Sequence, residues 1–340
     1  MHLDTRMTIF WIAHLIMLGL WALLMLYLLS IWLKSRIPGV PAKASRWRKL
    51  FSTIGYVLGI VFSRRLWPLL KAFILDGLLQ RRLFQKNKLR WITHMMVFGS
   101  FLVMGVVSTI TGVVVEGLPL VGMDPEKVAR IPVIGQLFHA DVWWVALVNE
   151  LLGLVLLAGM LLVLYRRFIR KDPQLRTGPI DNTIILLLTL IALSGIFTEA
   201  FRLLADYTAS GAFAPDPRLL PVEKYPEALY GVFGPKWGFV GYGIAWLLGL
   251  LKLSRGVWNV IYNIVFWLHF VIVSALLYYL PFSRFAHVIA GPVVVAYDTM
   301  LDGEKARGHR ARSETFAHQE ETSTHRDRAK QAGAREGGAR

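Results

Sequence analysis

Two histidines near the end of the last long apolar stretch, His269 and His287, stand eighteen residues apart. Eighteen residues are five whole turns of an α-helix, so the two imidazoles project from one face, roughly 27 Å apart along the axis. Neutral imidazole is a strong iron ligand, and two of them at two depths suit two metal centres stacked across a hydrocarbon core about 30 Å thick. Pro281 lies between them and can kink the helix, which would shorten the separation. Of the nine histidines, His14, His94 and His139 also lie in or beside apolar stretches. An ionisable side chain in such a place is costly and marks a functional position by default, with an ordinary interhelical hydrogen bond as the competing reading.

A six-coordinate haem iron needs a second axial ligand from a facing helix. His94, which follows Arg90 near the start of the second stretch, suits the site of His287, with Arg90 and Arg284 placed to neutralise haem propionates. Ten residues further, about 15 Å along a helix, comes Met104. Methionine can complete the coordination opposite His269 and raise the potential of the iron, but it is equally an ordinary packing residue, and His14 competes for the role. Gly99, Ser100, Gly105 and Gly112 would let a flat macrocycle approach the backbone or let two helices pack closely.

The elements that must position these residues are membrane spans. The 340 residues are 55% hydrophobic with 12 Trp, and the apolar residues fall in five blocks of about 20 or more, the length of a span: 8–33, 91–115, 142–165, 182–203 and 257–280. Lipid offers backbone groups no partner, so each block is expected to be helical, giving an all-α bundle of five transmembrane helices. The first block lacks a small-residue cleavage site and reads as a retained helix. The net charge of +16 comes from basic residues between the blocks, a positive-inside pattern in place of a nucleic-acid footprint. Segment 34–90 carries fourteen Lys or Arg against the single acid Asp76, and Arg166, Arg167, Arg170 and Lys171 follow the third block. Both are expected on the cytoplasmic side, placing the N-terminus outside and the C-terminus inside.

Within 34–90, the run from Leu50 to Leu83 reads as an amphipathic interfacial helix against membrane lipid. The apolar run from Phe239 to Leu251 is too short to cross and is expected to lie on the outer surface. Residues 1–298 form the membrane domain and 299–340 a charged tail expected to be disordered; His309, His318 and His325 within it match no compact metal motif. Three further intramembrane charges are Glu150, a candidate proton relay, and Glu199 and Arg202, spaced i,i+3 as a structural pair. Cysteine is absent, which excludes an Fe–S cluster, a disulfide or a covalently attached haem in this chain.

The run Trp267-Leu268-His269 through Leu280-Pro281-Phe282-Ser283-Arg284-Phe285-Ala286-His287 to Gly291-Pro292-Val293 resembles the last helix of the gamma subunit of respiratory nitrate reductase, a five-helix di-haem cytochrome b. The run Leu79-Gln80-Arg81-Arg82, followed by Leu89-Arg90-Trp91-Ile92-Thr93-His94, looks more like the related membrane cytochromes of heterodisulfide-reductase-like and sulfite-reduction-associated complexes. The resemblance spans Thr8 to Asp298. It implies b-type haem held by His94 and His287 on the cytoplasmic side and by His269 on the outer side, where nitrate reductase gamma has a histidine in place of Met104. It also implies a quinol site beside the third span, where His139 could hydrogen-bond a menaquinone or ubiquinone and Asp141 orient it. A His–carboxylate pair suits the protons released by quinol oxidation; alternatively Asp141 only caps the third helix.

The expected function is electron transfer between the quinone pool and a cytoplasmic Fe–S oxidoreductase partner, in the cytoplasmic membrane of a prokaryote. The chain would then be one part of a quinol-dependent oxidoreductase and not a complete enzyme. The alternatives are a proton-coupled small-solute transporter, which would usually show internal repeats and broken helices, and a cofactor-free anchor.

Overall fold

The computed structural model describes residues 5–34, 40–41, 43–171, 178–222, 224–279, 291, 294–295, 297–299 and 301–303. His287, Arg284 and Pro281, together with the three tail histidines, lie outside the described residues. Among the described residues, five helices are long and apolar enough to span a bilayer: Thr8–Ile31, Lys88–Val115, Trp143–Ile169, Asp181–Tyr207 and Arg255–Tyr279. Each coincides with an apolar block of the sequence, extended by a turn or less at most ends, as helices satisfy their backbone internally where lipid cannot. The chain is a multi-pass helical membrane protein.

The chain divides into two compact units, Met1–Leu29 with Leu83–Ala286 and Ser30–Arg82 with His287–Arg340. In the larger unit the second to fifth spans share an apolar cluster. Leu156 and Met160 of the third span, Ile184, Leu188 and Ile191 of the fourth, and Leu276 of the fifth are buried in it, with Val97, Phe101 and Met104 of the second packed against it. Gly159 lets the third span close on the second, since a Cβ there would stand 2.9 Å from Met96 Cβ. The first span lies against the fifth: Phe10 meets Phe266 and Phe270 at ring-centroid distances of 5.6 and 5.4 Å, and Tyr278 donates to the carbonyl of Met17 at 2.8 Å.

At the end where the second and fourth spans finish and the third and fifth begin, the two long connections fold into a cap with a core of its own. Val128, Leu137, Phe138, Leu220, Tyr225 and Leu229 from the connections are buried with Leu203, Leu204, Tyr207 and Trp258 from the spans. The strands Thr208–Ala209 and Ala212–Phe213 pair as a hairpin after the fourth span, turned by Ser210 and Gly211 at positive φ. Gly135 permits a tight turn of the cap, since a Cβ there would sit 2.4 Å from two carbonyl oxygens. The helix Phe239–Gly249 packs on the third and fourth spans. Its amino end is covered by Glu150, which accepts from the Val240 N–H at 3.3 Å. A carboxylate at the positive end of a helix is a favourable partner, and Glu150 meets that need from another element.

In the smaller unit the run from Leu50 to Leu83 is not one helix. It breaks after Arg46–Val61 into Leu66–Ala72 and a π-helical turn, Phe73–Leu78. Ser63 marks the break, its hydroxyl donating to the Ile60 carbonyl and accepting from the Arg65 N–H, a local bond that competes with helix continuation. Asp76 is buried and receives both ends of the Arg81 guanidinium at 3.1 Å. Trp47, Phe51, Phe62 and Trp67 stand more than 60% exposed, a surface suited to a lipid interface.

Candidate functional site

His269 stands in the body of the fifth span and faces the fourth. Its Nδ1 is 2.8 Å from Ser194 Oγ, and the ring edge lies over Gly195, where a Cβ would be 3.6 Å from His269 Cε1. Ile272, Val273 and Leu276, three, four and seven residues on, share this face, and they border the apolar cluster to which Met104 also belongs. Met104 packs against that cluster from the second span. His14 of the first span stacks on Phe10 at 5.6 Å, and Phe10 packs on Phe266 and Phe270, three residues before and one after His269 in the fifth span.

His94 stands where the second span changes from α-helical to π-helical winding, at Met95–Gly99. Single π-turns inside spans frequently accompany functional positions because they re-aim side chains. Its imidazole stacks on Phe98 at 5.3 Å and 17°. Arg90 is exposed one turn earlier, its N–H capped by Asn87 at 3.0 Å. Of the glycines and the serine after His94, Gly105 and Gly112 have nothing within 4 Å of where a Cβ would lie. Among the described residues, therefore, no neighbouring helix needs them for close packing. Their side of the second span offers bare backbone to a flat ligand.

His269, braced through Nδ1, and His94, beside a π-turn, are residues that could hold a haem iron.

His139 and Asp141 lie in the cap, both buried, at 8% and 0% exposure. Asp141 is not the cap of the third helix: Val142 holds that position and makes no side-chain capping bond. The carboxylate instead accepts from the Arg202 guanidinium, from Nη1 at 3.2 Å and from Nη2, and from the Tyr207 hydroxyl. Arg202 also holds Glu199, at 2.7 and 3.1 Å, so the i,i+3 pair expected from sequence is part of a larger network. Asp206, which pairs with Lys224, extends it. Burial alone would raise the Asp141 carboxyl, but the Arg202 charge and its hydrogen bonds outweigh burial and hold it at about 2. Burial pushes His139 down to about 4 although Asp141 pulls it upward. Its Nδ1 accepts from the Asp141 N–H at 3.2 Å, and its ring meets Tyr225 edge-on at 4.7 Å. His139 is therefore neutral at neutral pH. With Nδ1 occupied as an acceptor, its single hydrogen belongs on Nε2.

The structure thus brings His139 and Asp141 together in the cap. Ser194, Tyr207 and Tyr225 were not singled out from sequence. Serine and tyrosine are ordinary in spans and loops, and only the 75-residue contact of Ser194 with His269 gives it a role.

Three curated relatives are similar to the chain, each a subunit of a dihydromethanophenazine:CoB–CoM heterodisulfide reductase. The protein of Methanosarcina thermophila is 26% identical over 154 residues, covering 45% of this chain and 54% of that one. That of Methanosarcina barkeri is 26% identical over 163 residues, covering 48% and 55%. That of Methanosarcina acetivorans is 24% identical over 229 residues, covering 67% and 66%. The chain spans about half the length of the first two relatives it matches. No family model matches, and no solved structure matches. The similarity falls on the heterodisulfide-reductase side of the resemblance seen in the sequence.

Proposed function

We propose that this chain is the membrane component through which a heterodisulfide-reductase-like complex exchanges electrons with a lipid-soluble two-electron carrier, a quinol or a dihydrophenazine. The observation that carries the reading is His269: an imidazole in mid-span, braced on one nitrogen by Ser194. Bound b-type haem would supply one-electron steps between the two-electron carrier and Fe–S clusters, which the cysteine-free chain leaves to a partner protein. His94 would hold one haem together with His287, and His269 the other, with Met104 or His14 as its second ligand. The assignments of His287 and Arg284 rest on the sequence resemblance.

The cap is proposed as the carrier site, on the outer side by the positive-inside pattern. His139 would donate its Nε2–H to a carbonyl oxygen or ring nitrogen of the oxidised carrier. Asp141 contributes indirectly: paired to Arg202 and Tyr207 it stays ionised, and its backbone N–H sets the His139 tautomer. Its part is to position, and not to take a proton. Trp258, buried in the cap core, precedes His269 by eleven residues, roughly 16 Å along the fifth span. The fifth span thus links the two places.

The test is reduction of the purified chain by menaquinol and dihydrophenazine analogues, followed by the absorbance change of bound haem. Reduction by either donor, slowed at least tenfold in His139→Phe, supports the reading. A chain that carries haem but is reduced by dithionite alone and by neither donor contradicts it.

A further inference from the structure

Resting on the haem reading above, we infer that Ser194 is a positioning residue that fixes His269 as the tautomer protonated on Nδ1, leaving Nε2 bare to bind iron. A serine hydroxyl has one hydrogen and two lone pairs. In Ser194 that hydrogen is directed to the Leu190 carbonyl at 2.6 Å, with a longer contact to the Ile191 carbonyl at 3.3 Å. The lone pairs are left to face His269 Nδ1 at 2.8 Å. The bond between them therefore runs from Nδ1–H to Oγ. A neutral imidazole carries one N–H, so Nε2 holds a lone pair.

The seat is rigid. Ser194 lies mid-helix in the fourth span, and Thr198 donates to its carbonyl at 2.7 Å. Gly195 admits the ring edge against the same helix. Histidines that bind metals commonly give their other N–H to such a neighbour, which orients the ring and raises its basicity. His139 has the opposite arrangement, Nδ1 accepting from a backbone N–H. The same chain thus sets one histidine to bind a metal through Nε2 and another to donate from it.

The experiment compares the full-length wild type with Ser194→Ala and Ser194→Thr in detergent. Haem affinity and the reduced spectrum are measured on each, and nitrogen-15 histidine spectra are recorded on the same proteins made without haem. Expected are a His269 Nδ1–H signal in the wild type and its loss in Ser194→Ala. Haem at one site should bind about 10- to 100-fold more weakly in Ser194→Ala, and Ser194→Thr should restore both properties. A wild-type His269 protonated on Nε2, or a Ser194→Ala protein with unaltered haem affinity and spectrum, overturns the inference. A wild type that binds no haem defeats the haem reading and with it the metal role given to Ser194, whereas normal haem binding with silent Ser194 variants defeats the inference alone.

Discussion

Arg202 joins three carboxylates, Asp141, Glu199 and Asp206, and Asp141 is fully buried. Removing one partner of a buried ion pair leaves the other charge uncompensated, a cost of about 3–5 kcal/mol. Arg202→Ala should therefore lower the thermal midpoint of the solubilised protein sharply, and Arg202→Ala with Asp141→Asn should recover part of the loss. His139 sets a second residue-scale expectation. Its ordinary value of 6.5 falls to about 4 on burial, so the unfolded chain takes up a proton that the fold refuses in that interval. Stability from neutral His139 is fully present above about pH 6.5 and is lost as pH falls through 4. Thermal midpoints at pH 7, 5.5 and 4.5 should fall for the wild type and fall less for His139→Gln; parallel curves would show that burial of His139 does not set the slope.

Two glycines separate packing from ligand binding at the scale of the element. Gly159 sits where the third span meets Met96 and Val97 of the second, and Gly105 faces open space. Gly159→Val should destabilise the chain by about 1–3 kcal/mol through overpacking. Gly105→Leu should leave the thermal midpoint of the haem-free chain unchanged and reduce haem content, because only a flat ligand needs that surface. Equal haem content in Gly105→Leu and wild type would show that the glycine face serves lipid or another chain. The spans themselves were legible because bilayer thickness imposes a length that apolar composition displays directly. The break at Ser63 was not, since it arises from a local hydroxyl bond and not from the amphipathic period.

For the whole molecule, nothing in the pattern of the long connections announced a core, yet with Tyr207 at the end of the fourth span they form one around Phe138 and Tyr225. Short apolar runs broken by Pro and Gly have no period to show that they bury one another. The partners of Asp141 were hidden for the same reason, as Arg202 lies 61 residues away. Glu199 and Arg202 could be paired from sequence only because helix spacing makes them neighbours. The histidines were legible as rare ionisable groups in apolar helices, but their tautomers depend on Ser194 and on the Asp141 backbone, which spacing does not display. Haem on His269 and His94 is the claim on which the electron-transfer reading turns. It is tested most directly by haem quantification with a reduced-minus-oxidised spectrum of the purified full-length chain, made with ample haem supply and compared with His269→Ala. The expected result is a b-type spectrum from which His269→Ala removes one haem equivalent while the chain stays folded. A colourless wild type, or an unchanged haem content in His269→Ala, would contradict it.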